Sequence, residues 1–121
     1  KKFYFKYIKK QNPYSLEAVE DLLSKFKKNI TLLRGNSNEI LKNIELEKVD
    51  FIFIDGGHEY NTVKNDLAHS HRLLKNKGTI LCDDLNLSQA LGVRQAIKEF
   101  SDENNIKYEI VHERFAKFDF N

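Results

Sequence analysis

The sequence predicts an α/β fold, in which a mostly parallel sheet carries helices on both faces and ends in an antiparallel hairpin. Short apolar runs alternate along the chain with segments whose apolar residues recur at helical spacing. Near the C-terminus, two apolar runs follow each other with only Glu113-Arg114 between them, which is typical of a hairpin. A chain of 121 residues is sufficient for one domain, which we expect to span residues 1–121.

The predicted order of elements is β-α-β-α-β-α-β-α-β-β. Apolar and β-branched runs predict strands at 2–8, 30–34, 49–55, 79–83, 108–112 and 115–120. The first helix begins after Ser15 as N-cap and continues to Lys28. The later helices are marked by Ile40, Leu41 and Ile44, by Val63, Leu67 and Leu74, and by Val93, Ala96, Ile97 and Phe100. The third of these four helices is expected to end at Asn76-Lys77-Gly78.

Composition narrows the class of protein. The net charge is +2, with 40% hydrophobic and 31% charged residues, which is ordinary for a globular protein. The basic first quarter is interpreted as solvated surface, so no nucleic-acid partner is expected. No apolar stretch approaches the roughly 20 residues of a membrane span, and no signal peptide is visible, so we expect a cytoplasmic protein without membrane contact. The sequence leaves open whether the protein forms a homo-oligomer.

Two residue counts add to this picture. The single cysteine, Cys82, excludes an internal disulfide and lies in an apolar strand, where we expect a small buried hydrophobe rather than a nucleophile. The sequence contains no methionine, so we expect a processed chain or a piece of a longer protein.

Carboxylates close two of the apolar runs. Asp55 ends the run 49–55, and Asp83-Asp84 end the run 78–84. In an open α/β sheet, ligands bind at the carboxyl ends of the strands, and neighbouring strands lie about 4.8 Å apart. Three converging acids would repel one another, and a divalent cation such as Mg²⁺ would resolve that repulsion. The alternative is helix capping, with Asp84 as an N-cap.

Other candidates lie near these acids. His58 follows Asp55 by three residues, and its imidazole could act as a general base or be incidental. Gly56-Gly57 permits a sharp turn and the close approach of a ligand. For four further residues, a functional and a structural interpretation both stay open. Glu59 and Tyr60 could line the pocket, and Asn36 and Ser37 could contact a base edge or cap a helix. The remaining histidines, His69, His71 and His112, are expected at the surface.

Several motifs are absent from the sequence. It contains no Gly-x-Gly-x-x-Gly or Gly-Lys-Ser/Thr phosphate loop, no Cys-x-x-Cys zinc spacing and no Gly-x-Ser-x-Gly hydrolase elbow.

The residues around the acids carry a resemblance to a known family. The matching blocks are 49–60, Val63, Asp66, 73–84, Gly92-Val93, Ala96 and Phe100. Together they resemble the class I S-adenosylmethionine-dependent methyltransferases, and most closely methyltransferase family 24, which is related to macrocin-type and catechol-type O-methyltransferases. The resemblance covers roughly residues 30–121. The family's first strand and its glycine-rich loop have no counterpart, and the strand 2–8 lacks the usual ribose-binding acid. The chain therefore resembles the C-terminal part of a longer methyltransferase domain.

The resemblance implies a Rossmann-like fold and assigns roles to the candidate residues. By analogy, Asp55, Asp83 and Asp84 bind the metal, and His58 is the general base. The residues implied as contacts of the cofactor S-adenosylmethionine are Asn36, Ser37, Asp55 and Gly56.

The resulting expectation is metal-assisted O-methylation of a small hydroxylated metabolite or sugar, with S-adenosylmethionine and Mg²⁺ as cofactors. One alternative is a non-catalytic Rossmann-like binding module or remnant. Another is a metal-dependent phosphoryl-transfer domain of receiver-like or Toprim-like type. That alternative ranks last, because receiver domains need their acidic pair after the first strand, whereas Asp83-Asp84 come late in the chain.

Overall fold

The computed structural model describes residues 15–121. The chain divides into two compact units, with the boundary between Gly35 and Asn36. The predicted strand 2–8 lies outside the described residues, and the assignment of 1–121 to a single domain stays a prediction.

The described part of the first unit is helical. Helix α1 (Leu16–Leu22) begins at Ser15, whose hydroxyl accepts a hydrogen bond from the Ala18 amide at 3.1 Å, as the sequence predicted. A 3₁₀ helix (Ser24–Asn29) follows, because Leu23 leaves α-helical geometry at φ −95° and ψ 7°. The continuous helix predicted to Lys28 was therefore wrong in its second half. Ile30 is extended, but residues 30–34 are not assigned to a strand, so the strand predicted there was wrong.

The second unit contains the sheet. Its elements are α2 (Ser37–Asn43), β1 (Val49–Ile54), α3 (Tyr60–Leu73), β2 (Leu74–Cys82), α4 (Leu91–Glu103), β3 (Glu109–Val111) and β4 (Phe115–Asp119). The end of α3 corrects the sequence prediction, since Leu74 begins strand β2 instead of completing the helix. Leu74 pairs with Val49, and the register then shifts before Phe51 pairs with Thr79. Strand β2 is therefore longer at its start than the predicted strand 79–83.

The strand order is β1-β2-β4-β3. Strands β1 and β2 are parallel, whereas the β2–β4 and β4–β3 pairs are antiparallel. The α/β class and the C-terminal antiparallel hairpin are confirmed, and the described sheet is mixed. The hairpin turn is His112-Glu113, with φ values of 49° and 57°, and the Arg114 amide donates to the Val111 carbonyl at 3.1 Å. Two left-handed residues in succession are typical of a type I′ turn, so the predicted turn at Glu113-Arg114 lies one residue too late.

Helices α3 and α4 pack against one face of the sheet and form the core with it. The core includes Ile54, Val63, Leu67, Ile80, Cys82, Val93, Ala96, Ile97, Phe100, Ala116 and Phe118. The predicted layer of helices is thus confirmed for this face. On the other face, Phe51 and Phe53 stay 55% and 49% exposed. Within residues 15–121, no helix has the length and apolar character needed to cross a lipid bilayer.

Candidate functional site

The three acids meet at the carboxyl ends of β1 and β2. The two strands are parallel neighbours in which Ile54 pairs with Cys82, and the Asp83 amide donates to the Ile54 carbonyl at 2.9 Å. Asp55 follows β1 and Asp83 follows β2, so both carboxylates emerge at the same edge. One carboxylate oxygen from each of Asp55, Asp83 and Asp84 lies within 4.8 Å of the other two. The structure therefore brings together the three residues that the sequence singled out, and we call them the acid trio.

Members of the acid trio differ in their surroundings. Asp55 is exposed, the Asp84 side chain is 19% exposed and the Asp83 side chain is 3% exposed. Asp83 is held by Arg114, whose Nε donates to Oδ1 at 2.5 Å and whose second guanidinium nitrogen donates to Oδ2 at 2.6 Å. The Asp84 amide also donates to Asp83 Oδ1 at 2.6 Å. These hydrogen bonds, led by those of Arg114, keep the pKa of Asp83 below its ordinary value despite its burial.

Arg114 is a functional candidate that sequence reasoning missed. It follows the turn of the β3–β4 hairpin, and two hydrogen bonds fasten that turn to the loop after β2. The Leu85 amide donates to the Arg114 carbonyl at 2.9 Å, and Asn86 Nδ2 donates to the Glu113 carbonyl at 2.5 Å. The guanidinium also lies 5.3 Å from the centre of the Phe115 ring. The only signal in the sequence was a basic residue at the hairpin turn.

His58 and Asp84 form a second pair. His58 Nε2 lies 2.9 Å from Asp84 Oδ2, and the imidazole is 48% exposed. With Nε2–H as the donor, Nδ1 carries the lone pair and is free to accept a proton. Asp84 adopts φ 61°, in the left-handed region that aspartate tolerates better than most residues. Helix α4 has Ala90 as its N-cap, so the alternative in which Asp84 caps a helix was wrong.

The loop that carries His58 is held against the start of α4 at Gly92. A Cβ at this position would lie 2.6 Å from the Tyr60 amide nitrogen and 3.1 Å from the His58 carbonyl oxygen, so only glycine permits the contact. The Tyr60 hydroxyl donates to Glu99 on α4 and accepts from Lys64 at 3.0 Å. Tyr60 is therefore part of the contact between α3 and α4.

A groove of about 350 Å³ opens beside Asp55. Three of the four predicted cofactor contacts, Ser37, Asp55 and Gly56, line it. Its apolar walls come from α2, β1, the connection between them and the end of α3, among them Leu41, Leu46, Ile52, Phe53 and Leu73. Asn36, the fourth, caps α2 instead, because its Oδ1 accepts from the Asn38 amide at 3.0 Å.

Asp66 also lines this groove and was not among the predicted site residues. It is 5% exposed, and its Oδ1 has no hydrogen-bond partner among the described residues. Burial raises the pKa of this carboxyl, against the opposing effects of Ser37 and His69. One signal for Asp66 was available in the sequence, because it lies eleven residues after Asp55 among the residues that carry the family resemblance.

Cys82 and the remaining histidines do not join the site. Cys82 is 1% exposed, and burial raises the pKa of its thiol to about 12, so it acts as a buried hydrophobe. His71 and His112 are exposed, as expected, whereas His69 is partly buried.

The Rossmann-like fold is the one that class I S-adenosylmethionine-dependent methyltransferases use, and a family comparison agrees. Residues 5–85 match the family model described as "Methyltransferase domain", methyltransferase family 24. The chain belongs to this family, which confirms the family that the sequence resembles, although the match begins and ends earlier than the expected range of 30–121. The match crosses the boundary between the two compact units. No curated protein matches the chain significantly.

Solved structures of methyltransferases share the fold. The O-methyltransferase NovP superposes with a TM-score of 0.71 at 13% identity, covering 87% of this chain and 44% of NovP. CalS11, a TDP-rhamnose 3′-O-methyltransferase of calicheamicin biosynthesis, gives 0.64 at 18% identity, with 93% and 53% covered. Precorrin-6y C5,15-methyltransferase from Geobacter metallireducens GS-15 gives 0.65 at 22% identity, with 92% and 64% covered. The chain spans about half the length of these structures.

Proposed function

We propose that this protein is an S-adenosylmethionine-dependent methyltransferase that methylates a hydroxyl oxygen of a small metabolite or sugar with the help of a divalent cation. The observation that carries the proposal is the acid trio at the carboxyl ends of two parallel strands, together with His58, which pairs with Asp84. Membership of the methyltransferase family supports the choice of methyl donor.

For the methyl donor, the proposed contacts are Asn36, Ser37, Asp55 and Gly56. The groove beside Asp55 supports this assignment, since it combines apolar walls with hydroxyl, carboxylate and backbone groups. Asn36 would act indirectly, through the start of α2 that it caps.

For the cation, the proposed ligands are Asp55, Asp83 and Asp84. Their chemistry fits Mg²⁺, which prefers carboxylate oxygens together with water and substrate oxygens. A carboxylate has about four lone-pair sites, so Asp83 can bind Arg114 and still offer a lone pair to a cation. When bound, the cation would lower the pKa of an acceptor hydroxyl, and S-adenosylmethionine would supply an electrophilic methyl group.

For proton removal, the proposed residue is His58. Nε2–H donates to Asp84, which fixes the ring orientation and leaves Nδ1 to accept the acceptor hydroxyl's proton. The exposed ring can be reached from solvent, so an acceptor can approach it. Holding acceptor and methyl donor together supplies a further part of the rate.

The proposal of a hydroxylated acceptor rests on the acid trio. A cation that these carboxylates bind would also accept a hydroxyl oxygen of the acceptor as a ligand. Among the related structures, NovP and CalS11 are O-methyltransferases, whereas the precorrin enzyme is named for methylation at C5 and C15. The shared fold therefore does not choose the acceptor atom. The alternative is a non-catalytic binding module. Such a module would transfer no methyl group, whether or not it bound S-adenosylmethionine.

The test is a methyl-transfer assay with isotopically labelled S-adenosylmethionine and Mg²⁺ against a panel of sugars, nucleotide sugars and catechols. We expect labelled methyl to appear in at least one hydroxylated acceptor and to decrease when EDTA removes the cation. The proposal would be contradicted if neither this chain nor a longer protein containing it transferred methyl to any acceptor.

A further inference from the structure

Asp83 is the buried member of the acid trio and already has a cationic partner. Both of its oxygens accept from Arg114, at 2.5 and 2.6 Å, in the paired geometry that guanidinium and carboxylate groups form best. The same guanidinium lies 4.0 Å from Asp84 Oδ1. One positive charge therefore lies next to two of the three proposed cation ligands.

The fold places Arg114 beside Asp83, since the two residues are 31 positions apart in the sequence. The hairpin turn at His112-Glu113 is fastened to the loop after β2 through the Arg114 and Glu113 carbonyls. The Asp83 side chain is 3% exposed, so this pair is unlike a solvated surface salt bridge, which contributes little. The Arg114 side chain itself is 59% exposed, which gives the guanidinium room to move aside.

We propose that Arg114 is a positioning residue that holds Asp83 in the cation-free protein and competes with the divalent cation for it. A cation bound by the acid trio must share Asp83 with the guanidinium and withstand its charge at short range. Arg114 thereby keeps the three acids compatible with one another without a cation, and it lowers the affinity for the cation. This inference rests on the cation-binding part of the proposed function.

The experiment measures Mn²⁺ binding alone, by titration calorimetry and by the loss of the free-ion signal in electron paramagnetic resonance. The variants are Arg114→Gln, which removes the charge, and Arg114→Lys, which keeps the charge but loses the two-pronged contact. The matched control is Lys117→Gln. Lys117 is a cation on β4 that pairs with Asp119 at 2.7 Å, away from the acid trio.

We expect Arg114→Gln to bind Mn²⁺ about tenfold more tightly than the wild type, because a charge next to the ligands has gone. Arg114→Lys should bind more tightly than the wild type but less tightly than Arg114→Gln, and Lys117→Gln should match the wild type. Equal or weaker binding by Arg114→Gln would overturn the inference. If circular dichroism shows that Arg114→Gln does not fold, Arg114→Lys decides, and wild-type affinity in that variant overturns the inference.

The outcome is separable from that of the proposed function. Tighter Mn²⁺ binding by Arg114→Gln without any methyl transfer by the wild type would support the inference while the methyltransferase proposal failed. Methyl transfer that is indifferent to EDTA, with no Mn²⁺ bound by wild type or variant, would overturn the inference while the methyltransferase proposal stood without its cation.

Discussion

His58 and Asp84 show how a single contact narrows the role of a residue. In the sequence, His58 was one of four histidines and was singled out because it follows a predicted strand by three residues. Its contact with Asp84 selects the nitrogen that can accept a proton, and an aspartate that orients a histidine in this way is a recurrent arrangement in acid–base catalysis. Asp84 then has two proposed roles, as a cation ligand and as the partner of His58.

The substitution His58→Gln tests the role of the base. We expect kcat for methyl transfer to fall by roughly 10²- to 10⁴-fold, the usual contribution of a positioned base. The affinity for S-adenosylmethionine should change little, because His58 is not among its proposed contacts. Steady-state kinetics and calorimetry check the two quantities. The control is His112→Asn, at an exposed left-handed position that asparagine tolerates. Similar kcat values for the two variants would argue against a base at His58.

The Asp66 carboxyl gives a pH-dependent prediction. Burial raises its pKa in the folded protein, so the charged form costs stability at every pH above that raised value. As the pH falls through that pKa, the wild type takes up the proton and the cost disappears. Asp66→Asn, which carries no charge, should therefore be more stable than the wild type at pH 8, by on the order of 1 kcal/mol. This advantage should shrink as the pH approaches the ordinary aspartate pKa of about 3.9.

Urea unfolding at pH 8, 6 and 4.5 measures this difference. The exposed Asp102 on α4, which pairs with Lys98, provides the control, and Asp102→Asn should change stability little across the range. A lower stability of Asp66→Asn at pH 8 would mean that the carboxylate makes a favourable contact in the folded protein.

At the scale of elements, the site depends on the close approach of α4 to the loop after β1. Gly92 permits that approach, because any larger residue would meet the backbone of His58 and Tyr60. The Tyr60 hydroxyl and Glu99 add a contact between the first residue of α3 and the middle of α4. The start of α4 therefore positions His58 without contributing a side chain to the site.

The substitution Gly92→Ala should push this loop away from α4. We expect a loss of about 1–3 kcal/mol in the free energy of unfolding, as in other overpacked positions, together with a loss of methyl transfer. Gly56→Ala is the matched control for folding, because its Cβ would make an ordinary 3.5 Å contact with Asp66 Oδ2. Chemical unfolding of both variants gives the comparison. Equal stability would show that α4 does not hold the loop.

Two segments take conformations that depend on strand pairing and not on their own sequence. Leu74 fits the helical spacing of α3, but its pairing with Val49 makes it the first residue of β2. Residues 30–34 have the composition of a strand, yet within the described residues no partner pairs with them. The composition of a segment indicates which conformation it favours. A strand forms only where a neighbouring strand pairs with it.

For the whole molecule, the alternation of helices and strands predicted the α/β class, and parallel neighbours placed Asp55 and Asp83 at one edge. Both predictions follow from periodicity and from the rule on strand ends. Arg114 could not be predicted in this way. It reaches Asp83 across a separation of 31 residues, through the antiparallel pairing of β2 with β4, for which spacing gives no signal.

We propose above all that the groove beside Asp55 holds S-adenosylmethionine as the methyl donor, near His58. The most direct measurement is calorimetric titration of the protein with S-adenosylmethionine, and of an Asp55→Ala variant as comparison. We expect saturable binding at one site, weakened by at least about tenfold in the variant through loss of charged hydrogen bonds. Wild-type affinity in Asp55→Ala, or no binding by this chain and by a longer protein that contains it, would contradict a donor site beside Asp55.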